Sequence, residues 1–107
     1  MKFADIDFSR YPCRAYGEYT DGEGCYCIVG VMAKECGYLV YPQAITNLDG
    51  VCQPRVAVLR RFEEFAQLRG EMLLKICRDM IRNNDAGMTF EKNRKQILEE
   101  VAKCQQP

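Results

Sequence analysis

The side chains able to do chemistry in this 107-residue chain are first of all its seven cysteines, Cys13, Cys25, Cys27, Cys36, Cys52, Cys77 and Cys104. Such a set suits metal binding, disulfides or a nucleophile. A structural zinc site normally takes Cys-x-x-Cys pairs or cysteine with histidine, whereas this chain has no histidine and offers only the Cys-x-Cys of Cys25-Tyr26-Cys27. Seven is odd, and the opening stretch from Met1 to Arg10 carries Asp5 and Asp7 where a secretion signal would have an apolar core. Cys25, Cys36, Cys77 and Cys104 fit apolar stripes, where free cysteine packs as a small hydrophobe. Buried free thiols are the expectation, with a metal site and functional disulfides as the alternatives. Cys25 or Cys27 near a helix N-terminus could have a lowered thiol pKa, which keeps a thiol enzyme or redox sensor in view. Such a nucleophile needs a base or a cation, and Lys34 and Arg14 are the near-sequence candidates.

Other catalytic equipment is missing. Without histidine the commonest general base and metal ligand is gone. There is no Gly-x-Ser-x-Gly, phosphate loop or dinucleotide fingerprint, and Gly22-Glu23-Gly24 lacks the preceding strand and third glycine of such a site. Asp5 and Asp7 could chelate Mg²⁺, but nothing nearby completes a ligand set, so solvated surface charge is the expectation. No catalytic residue, metal ligand or cofactor is assigned, and a non-enzymatic protein is expected.

Two polar signals remain. Asn84-Asp85 either forms a binding loop that meets a partner, or serves structure alone. In the favoured structural reading Asn84 turns left-handed to end one helix, and Asp85 bonds to backbone amides of the next turn. Charge supplies the second signal. The net charge is zero, yet residues 1–53 hold four basic and seven acidic groups, residues 54–82 seven and four, and residues 83–107 four and four. Arg55, Arg69, Lys75, Arg78 and Arg82 therefore form a basic stretch able to contact phosphates or an acidic protein surface. Against this, Arg60 with Glu64, Glu71 with Lys75, and Lys75 with Asp79 have the i,i+4 spacing of intrahelical pairs.

The elements that must position these groups follow from periodicity. From Gly24 to Gly37 the chain is apolar nearly all round a helix, which predicts a buried central helix at about 25–36, with a strand as the rival reading. Gly30 in its middle implies that another backbone crosses close by, and Gly37 is a left-handed stop. Residues 1–20 give aromatic bulk without period: a short helix at about 3–9, then an irregular arm. Residues 38–41 should be extended, because a residue before proline avoids helix. Pro42 suits the first position of a short helix to about residue 48. Helices are predicted over 54–69, burying Val58, Phe62 and Phe65, and over 71–83, burying Leu73, Ile76, Cys77, Met80 and Ile81. A last one at 90–104, capped by Thr89, carries Phe90, Ile97, Leu98, Val101 and Cys104 on its inner stripe. The expected fold is all-α: one compact domain over residues 1–107, a helical bundle of about four to six helices round the central one. No stretch approaches the ~18 apolar residues of a membrane span. A cytoplasmic protein without membrane contact is expected.

Three segments, Cys27-Ile28-Val29-Gly30-Val31-Met32, Val58-Leu59-Arg60-Arg61 and Asn84-Asp85-Ala86-Gly87-Met88-Thr89, resemble a small domain family of unknown function in bacteria and their phages. Its pattern is a cysteine opening a helix followed by glycine and small apolar residues, an arginine-bearing middle helix, and Asn-Asp before the last helix. The likeness spans residues 21–103, and departs where such proteins begin with a longer helix. It implies a helical domain and no activity. By analogy with phage accessory proteins it implies an interaction protein that blocks a host factor, for instance an anti-CRISPR inhibitor of a defence complex. The partner would be a host protein or nucleoprotein complex. Nucleic-acid binding through residues 54–82 is the alternative.

Overall fold

Helix α1, Ile28–Glu35, is the buried axis, with Ile28 through Ala33 all inaccessible to solvent. The computed structural model describes residues 1–105 of the chain. Cys27, extended at ψ 169, caps α1, and Gly37 ends it at φ 84, a conformation that suits glycine. The helix thus begins three residues later than its apolar stripe suggests. A Cβ on Gly30 would be driven into the carbonyl of Tyr19, whose carbon would lie only 3.2 Å away, so the crossing backbone is the arm.

The all-α expectation is overturned by a β-hairpin. Strand β1, Leu39–Tyr41, pairs antiparallel with β2, Ala44–Thr46, in the register Leu39↔Thr46, Val40↔Ile45 and Tyr41↔Ala44. Proline's fixed φ serves the i+1 corner of a turn as well as the first turn of a helix. Here Pro42 and Gln43 form the two-residue connection, so the helix expected at 42–48 is a turn and a strand. β-Branched Val40, Ile45 and Thr46 favour the strands, and Ile45 points into the core. A further turn is closed by the Asn47 carboxamide, which accepts from the Asp49 and Val51 amides, both at 2.9 Å. It leads to an antiparallel bridge between Thr46 and Cys52.

The helix expected at 54–69 is interrupted. Helix α2 is Arg55–Leu59; Phe62 is extended, and Glu63–Phe65 forms a 3₁₀ turn. The cause is distant in sequence. The Glu63 amide donates to the Met1 carbonyl at 2.8 Å, while the Glu64 carboxylate accepts from the Phe3 and Ala4 amides at 2.7 and 2.8 Å. The N-terminal arm docks into this break. It contains 3₁₀ turns at Phe3–Asp5 and Phe8–Arg10 in place of the predicted short helix, and it buries Phe3, Ile6, Phe8, Tyr11 and Ala15. Phe3 meets Phe62 and Phe65 with ring centroids 6.2 and 5.5 Å apart.

Helix α3, Gly70–Asp85, and helix α4, Phe90–Cys104, pack together. Asn93 bonds Met80 and Asn83, and Lys75 approaches Glu100, so the two helices run antiparallel. The Thr89 hydroxyl accepts from the Lys92 amide and starts α4. Arg94 of α4 donates to the Phe3 and Ile6 carbonyls at 3.3 and 2.7 Å, tying the arm to the bundle. Among the described residues no helix is long and apolar enough to cross a membrane.

Candidate functional site

Burial decides what the cysteines can do. Cys25 precedes α1 and forms a disulfide with Cys13, contrary to the expectation of a free packing thiol. Its place on the helical stripe was a coincidence of spacing. Cys27, Cys36, Cys52, Cys77 and Cys104 are free. Cys27 is buried at the helix N-terminus, where a lowered pKa was conceivable. Desolvation outweighs the hydrogen bond from the Gly30 amide at 3.4 Å and pushes the thiol up to about 11. Burial also raises Cys77 and Cys36. Cys52 is exposed, so it is no core residue. Asp7 caps its own turn, its carboxylate accepting from the Ser9 amide and hydroxyl at 3.0 and 2.6 Å. Among the described residues no three Cys, Asp or Glu side chains are grouped to hold a metal ion.

Asn84 is an internal clamp. It lies within α3, so the left-handed conformation expected for it is corrected: among the described residues only glycines have positive φ. Its Oδ1 accepts from the Ile28 amide at 3.0 Å, one of the N–H groups that the first turn of α1 leaves without an intrahelical partner. Its Nδ2 donates to the Ala15 carbonyl at 2.9 Å. One buried amide thus joins α3, α1 and the arm. Asp85, the last residue of α3, accepts from the Gly17 amide at 3.0 Å and not from the following turn. The pair lies in the helix and not in a loop, and both side chains bind the arm.

The five cations do not act as one face. Arg69 pairs with Glu71 at 2.7 Å. Lys75 pairs with Asp79 at 3.0 Å and approaches Glu100 at 3.9 Å, and Arg82 reaches Asp79 at 3.6 Å. Such exposed pairs add little stability, but they set a carboxylate beside each of three cations and weaken any phosphate-binding field. The remaining two are brought together. Arg55, at the start of α2, donates from Nε to the Tyr19 hydroxyl at 2.6 Å and lies 5.5 Å over that ring. Arg78 of α3 makes no ion pair among the described residues.

Arg55 and Arg78 border a groove of about 340 Å³ between the start of α2 and α3, floored by Pro54, Val56, Leu74 and Cys77. Tyr19 and Arg55 also line a second opening of about 160 Å³, where Glu18, Pro42, Ile81 and Asp85 meet. Leu74 is 54% exposed in an otherwise polar outer row of α3. Tyr19 and Leu74 were not among the expected site residues. Leu74 carried a readable signal, a large apolar side chain beside Lys75 and off the inward stripe. Tyr19 carried none, because the arm's path depends on distant contacts. Comparison of the chain with protein-family models, with curated proteins and with solved structures finds no match.

Proposed function

We propose that this chain is a small non-enzymatic interaction protein of the cytoplasm that works by occupying the surface of a partner. The observation that carries this reading is the groove between α2 and α3, where half-exposed Leu74 lies beside Arg78, a guanidinium without an ion pair among the described residues. Isolated exposed leucines are ordinary; one that floors a concave site beside such a cation is a recognition feature. The remaining chemistry-bearing groups are absorbed by folding: Asn84 and Asp85 hold the arm, and Cys27 is a buried neutral thiol. The more specific form, a phage or mobile-element inhibitor of a host defence complex, rests on the resemblance alone. The test is capture from host lysate with the wild-type chain and the Leu74→Asp variant side by side. A protein recovered stoichiometrically by the first and lost with the second supports the reading; no stoichiometric protein on the wild type overturns it.

A further inference from the structure

We infer that the groove between α2 and α3 takes an acidic linear segment of a partner protein, anchored by one apolar side chain. This rests on the interaction reading above and names the partner's chemistry. Among the described residues Arg55 uses only Nε, on Tyr19, which leaves its terminal nitrogens for a fork with a carboxylate. Arg78 is exposed, unpaired among the described residues, and borders the same groove. Its neighbours one turn away along α3 are Leu74 and Arg82, and among the described residues no acid lines the groove itself; Asp79, next in the chain, is taken up by Lys75 and Arg82. The floor of Pro54, Val56 and Leu74 gives an apolar side chain a place to leave water. A cavity of about 340 Å³ holds a few side chains, which suits an extended segment better than a folded face.

Nucleic acid meets the same two arginines less well. Stacking needs an open aromatic face, and Tyr19 is half-buried with Arg55 over it. Glu18 and Asp85 stand at the adjoining opening and Asp79 beside Arg78, where a phosphate chain would have to run. A peptide can set a neutral or basic residue there.

A library of random dodecapeptides selected on the immobilised full chain tests the inference. Asp or Glu flanking Leu, Ile or Phe should be enriched, and the selected peptides should bind Arg78→Glu about tenfold more weakly, with the loss shrinking as salt rises. Arg78 is exposed, so this variant should keep the wild-type melting temperature, which separates binding from folding. Enrichment without acids, binding indifferent to Arg78→Glu, an empty selection, or a single-stranded oligothymidine that displaces the peptides would each overturn the acidic-segment inference. A peptide set without acid preference leaves the interaction reading standing, whereas the absence of a lysate partner removes that reading itself.

Discussion

Gly30→Ala gives the sharpest test of how the fold is built. In a solvent-facing helix this change stabilises by about 1 kcal/mol, through lower unfolded-state entropy and better propensity. In α1 the new methyl would be forced against the Tyr19 carbonyl oxygen, with the carbonyl carbon at 3.2 Å and the Tyr26 ring at 3.5 Å. The carbonyl cannot simply swing away. It accepts from the Cys27 amide at 3.0 Å, and the amide of the same residue is held by the Pro42 carbonyl at 2.9 Å. Overpacking of this kind costs about 1–3 kcal/mol, and losing the buried hydrogen bond adds about 1–3 kcal/mol. Net of the propensity gain, the variant should be destabilised by about 1–5 kcal/mol. For a domain of this size each kcal/mol lowers Tm by about 4–8 °C, so a loss of roughly 10–25 °C is the central expectation. Gly30→Val should be at least as damaging. Gly70→Ala is the matched control: it opens α3 with nothing within 4 Å of the added methyl, and should hold or raise Tm. Calorimetry or a thermal scan on the two alanine variants suffices. A Gly30→Ala protein as stable as wild type would refute the close crossing of arm and helix.

Asn84→Ala should cost about 2–5 kcal/mol in denaturant unfolding, because it strands the Ile28 amide and the Ala15 carbonyl together. A variant with the wild-type free energy of unfolding would deny the clamp. Reducing the Cys13–Cys25 disulfide, which spans 12 residues, should remove about 3 kcal/mol, read as a lower Tm with reductant that Cys13→Ser reproduces. Cys27 titrates near 11 in the folded chain against an ordinary 9, so the unfolded state loses its proton first. Stability should fall by about 2–3 kcal/mol as pH rises from 9 to 11, and Cys27→Ser should flatten that descent. Thiol labelling of the native protein should modify Cys52 at once and spare Cys27 and Cys77 until unfolding.

What could be read from sequence was local. Helix α4 matches its predicted span because its cap, stripe and end all lie within sixteen residues, Thr89 to Cys104. Gly30 and Gly37 were legible because glycine has few structural uses inside or just after a helix. The failures are where contacts distant in sequence decide. Pro42 and Pro54 look alike alone, yet the first turns a hairpin and the second precedes a helix, the difference lying in the β-branched partners on either side. Phe62 breaks its helix because Met1, Phe3 and Ala4 need Glu63 and Glu64 as partners. The groove proposed for binding was half legible: Arg55 and Arg78 stood in the basic stretch, but nothing local distinguished them from Arg69, Lys75 and Arg82, which have carboxylates nearby.

The most direct measurement is site-specific photo-crosslinking in host lysate. A photoreactive amino acid replaces Leu74 in one preparation and Glu99, exposed on α4, in another. Docking in the groove predicts a discrete adduct from position 74, suppressed by Arg78→Glu, and none from position 99. No adduct at 74, or the same adduct from both positions, would contradict the groove as the surface by which this protein works.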